Sequence, residues 1–267
     1  VKGPDTTSRA VLAESAYSDE RHLAARQSLY GWQRPRHDLP GIVLDHLPVE
    51  VGVVLDVGCG NGKYVTRIRA QRPDLTVIGM DISAGILTGV GPPVAVADAA
   101  ALPAADDCAA AVLAMHMLYH VTDLNAALSE VARVLKPGGV VIASTNARDD
   151  KRELDDLWGS AAADVLGTDH RPLRISLSSG FSLDDAPDLL RTYFADVRVV
   201  ELPGVITVTE PEPVIAHLAS YRAWADSVGV PFDVTLDRAR QRLHELIERD
   251  GAFHIHCRGG ILLCTAR

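Results

Sequence analysis

The stretch Val54-Leu55-Asp56-Val57-Gly58-Cys59-Gly60-Asn61-Gly62 decides the fold of this chain. Its first half is apolar and β-branched, and it runs directly into G-x-G-x-G, after which helix-forming residues begin at Lys63. Glycines at such a corner let the backbone turn tightly and let a ligand approach the main chain closely. Outward from this point, short apolar runs alternate with polar stretches of helical spacing. The runs fall at 53–57, 75–80, 94–97, 109–115 and 139–143. They are too short for helices and mostly lack a period of two, which is how strands covered on both faces read. Between them, 63–71, 83–89 and 124–135 carry helical spacing. In the last, Leu124, Ala127, Leu128, Val131, Val134 and Leu135 form one stripe. Asp123 is its candidate N-cap, and Lys136-Pro137-Gly138-Gly139 is its stop signal. Strand, helix and strand in repetition predict an α/β architecture: a doubly wound parallel sheet with right-handed crossovers.

The flanks read differently. Residues 1–50 suggest an N-terminal helical arm with helices at 19–29 and 39–47. The remaining 51–267 form the main domain, with helical insertions expected at about 150–190 and 211–250. A further strand is expected at 194–202, and a terminal hairpin from 252–256 and 261–265 around Arg258-Gly259-Gly260.

The chain has 267 residues, with 26 Lys plus Arg against 35 Asp plus Glu, a formal charge of −9. Binding to a polyanion requires clustered Lys and Arg, so the balance disfavours nucleic acid as a partner. The four cysteines contain no C-x-x-C, which argues against a zinc ribbon or a dithiol redox pair. No apolar leader opens the sequence and its longest apolar run, 108–115, is too short to span a bilayer, so a cytoplasmic setting is expected.

A glycine loop after a strand does not name its ligand. Here the dinucleotide spacing G-x-G-x-x-G and the P-loop G-x-x-x-x-G-K-[ST] are both absent. Asp56 stands two residues before Gly58, where a carboxylate repels pyrophosphate and favours a cation. At 4 Å and a near-surface dielectric that attraction is about 4 kcal/mol before desolvation. Asp81 ends the second strand, placed to accept both ribose hydroxyls. Asp98 ends the third, placed to accept from an adenine amine, with Ile82 and Met115 as candidates to sandwich the purine. An adenosine-bearing cation fits this set, and S-adenosylmethionine is such a compound.

With those residues in place, the chain resembles the class I S-adenosylmethionine-dependent methyltransferases, in their small-molecule branch. The resemblance covers 51–144 and is carried by Leu55-Asp56-Val57-Gly58-Cys59-Gly60-Asn61-Gly62, Asp81, Asp98-Ala99 with Leu102-Pro103, and Ala132-Arg133-Val134-Leu135-Lys136-Pro137-Gly138-Gly139. It implies a Rossmann-like, seven-stranded sheet with an antiparallel last strand at 261–265, an N-terminal helical lid, and helical insertions around a substrate pocket. It also implies S-adenosylmethionine as cofactor, bound by Tyr17, Asp56, Gly58, Cys59, Gly60, Asp81, Ile82, Asp98, Ala99 and Met115. Methyl transfer would go to an O, N or C atom of a small molecule, with secondary metabolism as the expected setting. RNA methylation and cofactor binding without turnover are the alternatives.

A good leaving group makes alignment of the reactants the main task, whereas a neutral hydroxyl acceptor also needs a base. His116 and His120, in Met115-His116-Met117-Leu118-Tyr119-His120, are the candidate catalytic bases. Tyr119, Tyr30 and Trp32 are candidate substrate contacts. No third ligand is spaced to complete a zinc site with the two histidines, so no metal is expected.

Overall fold

The computed structural model describes residues 6–47, 51–227 and 229–267; residues 1–5 and 48–50 of the expected arm lie outside it. Eight strands form one sheet: β1 (Gln33–Arg34), β2 (Val53–Val57), β3 (Thr76–Asp81), β4 (Val94–Val96), β5 (Ala109–Met115), β6 (Leu135–Asn146), β7 (Val197–Val208) and β8 (Phe253–Thr265). The helices are α1 (Arg9–Val11), α2 (Arg21–Ser28), α3 (Leu39–His46), α4 (Lys63–Gln71), α5 (Ala84–Leu87), α6 (Leu124–Val134), α7 (Arg152–Leu166), α8 (Ala186–Leu190), α9 (Glu212–Ala219) and α10 (Phe232–Asp250).

The strand order is β1-β7-β8-β6-β5-β2-β3-β4. Strands β2 to β6 run parallel to one another, while β8 lies antiparallel to both β6 and β7. The sheet is buried on both faces. Val43, Val65, Ile68 and Leu87 from α3, α4 and α5 pack on one side. Ala127, Leu128, Val131 and Val134 of α6, with Leu154 and Trp158 of α7, pack on the other. The stripe read in 124–135 is therefore the core face of α6, and the Asp123 carboxylate caps it by accepting from the Ala126 amide at 2.9 Å.

Two expectations are corrected. The sheet has eight strands rather than seven, because the arm contributes β1, whose Gln33 and Arg34 pair with Ile206 and Val205. That pairing covers part of the otherwise open edge of β7, and Pro35, which has no N–H, ends it after two residues. The terminal hairpin does not form: β8 is one continuous strand, and Gly259 and Gly260 pair within the ladder with Leu202 and Glu201 of β7. Neither glycine takes the positive φ that a two-residue hairpin turn demands. Gly260 serves a close approach instead, since a Cβ there would sit 2.9 Å from Leu183 Cδ1.

Candidate active site

The chain order reverses between β2 and β5, and in open parallel sheets the crevice beside that switch point receives ligands. A cavity of about 460 Å³ lies there. The glycine loop forms its floor. Gly58, Gly60 and Gly62 have φ of 68°, 54° and 72°, a conformation that a side chain resists. Space excludes one too: a Cβ on Gly58 would lie 2.7 Å from Met117 Cβ. The Cys59 amide donates to the Met80 carbonyl at 2.9 Å, tying the loop to β3. The Cys59 side chain is buried, 3.0 Å from where a Cβ on Gly79 would stand, so a small residue is required beneath the loop. Burial, then Asp56 and Asp81, push its thiol up, which makes it inert.

Asp81 accepts from the Gly60 amide at 2.9 Å and the Ser83 amide at 3.0 Å. A carboxylate has about four lone-pair sites, so it can still accept from a diol. Burial raises its pKa, and those amides work against the rise. Asp98 accepts from the Ala100 amide and pairs with Arg9 of the arm at 3.0 Å. Ile82, Ala99 and Met115 line the same end. Asp56 stands apart, fully buried in β2 rather than in the cavity wall, and neither carboxylate oxygen has a hydrogen-bond partner. Burial, then the charge of Asp81, raise its pKa to about 8. A glycine floor closed to side chains and an acceptor at Asp81 with lone pairs to spare fit an adenosine-bearing ligand, whereas the expected contact of Asp56 with the cation is corrected, because that carboxyl lies within β2 and not in the cavity wall.

The arm roofs the cavity. Ser83 Oγ donates to the Tyr17 carbonyl at 2.8 Å, and Gly85 lets the arm come close: a Cβ there would lie 2.2 Å from the Ser18 carbonyl oxygen. His120 latches the other side. Its Nδ1 faces the Thr6 carbonyl at 2.9 Å, which only accepts, so Nδ1 carries the proton. Nε2 therefore accepts from the Tyr17 hydroxyl at 2.7 Å. The ring also stacks on Trp224, with centroids 6.2 Å apart. Both nitrogens are thus engaged, and burial lowers the pKa to about 4.

His116 differs. It follows directly on β5 with φ of 54°, a strained value for a side-chain-bearing residue, and its amide is held by Ser144. Its imidazole lines the cavity with no hydrogen bond among the described residues. Burial, then the charge of Lys151, lower its pKa to about 4, leaving it neutral at physiological pH. Tyr119 and Tyr30 line the cavity as well, and the Tyr30 hydroxyl accepts from Lys151 Nζ at 2.7 Å. Trp32 does not reach it; the ring is 40% exposed and borders a separate depression with Arg34 and Arg36.

Sequence reading missed the wall opposite the glycine loop. Arg26, Asp150, Lys151, Arg174, His217 and Tyr221 all line the cavity. All six sit in the arm or in the expected helical insertions at about 150–190 and 211–250, and only Arg26, in the arm, precedes the sheet. The rest carry no spacing signal, because the chain folds back from beyond β6 to deliver them.

Comparison with known proteins agrees with this geometry. Residues 55–143 match a family profile described as "Methyltransferase domain". The chain is 32% identical over 158 residues to a tRNA (carboxymethyluridine(34)-5-O)-methyltransferase of Arabidopsis thaliana, a match covering 54% of this chain and 38% of that protein. An uncharacterized methyltransferase of Mycobacterium tuberculosis is 29% identical over 227 residues, covering 83% of this chain and 86% of the relative. Phosphoethanolamine N-methyltransferase 2 of Haemonchus contortus, solved with S-adenosyl-L-methionine, shares the fold with a TM-score of 0.54 at 17% identity, over 97% of this chain and 59% of that one. The chain thus spans about two fifths of the first of these relatives. The glycine loop, the carboxylates at successive strand ends and the matched profile agree: the chain carries a methyltransferase domain over 55–143, of the class I S-adenosylmethionine-dependent kind, and its site fits S-adenosylmethionine as cofactor.

Proposed function

We propose that this protein methylates an O, N or C atom of a small molecule held in the enclosed end of its cavity. The observation that carries this reading is that one cavity runs from Asp98 and Ile82 past the glycine loop to Tyr119, Tyr30 and Lys151, under a roof made by the arm. The formal charge of −9 and that roof favour a metabolite over RNA, although one relative is named a tRNA methyltransferase. Secondary metabolism in the cytoplasm is the proposed setting. No helix among the described residues is long and apolar enough to cross a membrane.

When bound, S-adenosylmethionine supplies an electrophilic methyl group on a sulfonium. The work left to the chain is to bind, align and exclude water, which can contribute about 7–11 kcal/mol. Asp81 holds the ribose hydroxyls, Asp98 and Ala99 meet the adenine edge, and Ile82 and Met115 enclose its faces. Gly58 and Gly60 bring the backbone close and Cys59 packs the loop from below, while Asp56 stays buried in β2 outside the cavity wall. Tyr17 closes the arm over this end. His116 is the residue with a free imidazole in the wall, so it takes the proton from a hydroxyl acceptor. His120 positions Tyr17.

Incubation with methyl-labelled S-adenosylmethionine and either a metabolite extract or total tRNA tests the reading. Label is expected in the small-molecule fraction. Label recovered only in tRNA would overturn the small-molecule assignment.

A further inference from the structure

The wall that faces the glycine loop gathers more positive charge than it neutralises. Lys151, buried at the start of α7, donates to the carboxylate of Asp150 and to the Tyr30 hydroxyl. Arg174, whose side chain is 9% exposed, donates to Asp155 at 2.9 Å. Arg26 is also buried, with its guanidinium carbon 4.9 Å from the Tyr17 ring centroid and 5.6 Å from that of Tyr221. Its Nη1 donates to the Ser220 carbonyl at 3.0 Å, but its Nη2 has no partner, and no carboxylate pairs with it among the described residues. Beside these groups, His217 is buried with Nδ1 unpartnered, while Nε2 faces the Tyr221 hydroxyl at 3.5 Å. With the hydroxyl donating, Nδ1 carries the proton. Three cations against two carboxylates leave one positive charge and two unused N–H donors in a buried place. Leaving a guanidinium so enclosed without a counter-charge is costly, unless a ligand provides that charge.

We infer that Arg26, Lys151, Arg174 and His217 form a receptor for a single carboxylate on the methyl acceptor, which anchors the molecule with its reacting atom beside His116. The inference rests on the small-molecule reading above and names the substrate class. One unbalanced charge matches a monoanion better than a phosphate dianion, and two N–H donors match two carboxylate oxygens. The rings of Tyr17, Tyr119 and Tyr221 supply an apolar lining for the body of such an acid. A carboxylate whose lone pairs accept several charged hydrogen bonds is a poor nucleophile, so it acts as the handle and another atom receives the methyl. Arg26, Lys151, Arg174 and His217 all lie outside the matched domain at 55–143.

The test uses the full chain saturated with S-adenosylhomocysteine, titrated calorimetrically with benzoate, 4-hydroxybenzoate and 2-naphthoate, each beside its primary amide. The acids should bind at least about tenfold more tightly than their amides. Arg174→Gln should remove most of that preference while leaving S-adenosylhomocysteine affinity within about threefold of wild type. Should Arg174→Gln unfold the protein by stranding Asp155, the double variant Arg174→Gln/Asp155→Asn retains the test without the stranded charge. Acids that bind no better than their amides overturn the inference. So do variants that weaken S-adenosylhomocysteine as strongly as the acids, which would assign these cations to the carboxylate of the cofactor. Wild type that fails to bind S-adenosylhomocysteine at all would instead strike the cofactor assignment itself.

Discussion

Asp56 holds a carboxylate with no donor to either oxygen, and its pKa of about 8 against an ordinary 3.8 has consequences at two levels. The unfolded chain ionises this group freely above pH 4, whereas the folded chain resists until about pH 8. Folding stability therefore falls as pH rises across that window, by about 1.4 kcal/mol per unit for this group. Asp56→Asn should raise the melting temperature of the ligand-free protein most at pH 8, with the gain shrinking towards pH 4. A gain independent of pH would remove the assignment. The histidines differ in availability rather than identity. His116→Ala should lower kcat about 100-fold or more on a hydroxyl acceptor, with S-adenosylhomocysteine affinity unchanged. His120→Ala should instead weaken cofactor affinity, because it releases Tyr17. Equal kcat losses with intact affinity in both would show that His120 acts chemically.

At the scale of elements, the arm is held by backbone contact more than by charge. The Arg9–Asp98 pair has a guanidinium 66% exposed, so Arg9→Ala should change cofactor affinity less than about fivefold in equilibrium dialysis. Gly85→Ala is a stronger probe. Its Cβ would lie 2.2 Å from the Ser18 carbonyl oxygen, a backbone atom that cannot swing aside. This variant should make the arm sensitive to limited proteolysis and weaken cofactor binding about tenfold or more, since closing the arm then costs added strain. An arm as protected as in wild type would show that Ser18 does not fix it. The β8 strand teaches a related lesson. Arg258-Gly259-Gly260 reads as a turn because glycine permits one, yet its role is to let Leu183 pack on the ladder.

For the molecule as a whole, His116 and His120 are enclosed neutral with pKa values of about 4, and burial, then nearby Lys151, Arg174 and Arg26, hold His217 well below its ordinary value. All three are protonated more readily in the unfolded chain, so their contribution is full above pH 6.5 and is lost as pH falls towards 4. Chemical denaturation should show stability dropping steeply between pH 6.5 and 4, and the His217→Phe variant should flatten that drop. Asp56 acts with the opposite sign over part of the same range, which makes the double variant with Asp56→Asn informative.

Local patterning determined the sheet and the cofactor end of the site. The apolar runs of β2, β3 and β5 are buried on both faces, so their hydrophobicity is continuous and visible, and Gly58, Gly60, Asp81 and Asp98 follow strand ends at fixed offsets. Proximity in sequence is enough to read such a set, because each member is positioned by the strand next to it. The acceptor end was decided only by tertiary structure. Arg26 meets Ser220 across 194 residues and His120 meets Thr6 across 114, and no spacing rule reaches that far. Whether an arginine is solvated or stranded in a cavity depends on what packs around it. That is settled by the return of the chain over the sheet rather than by its neighbours in sequence.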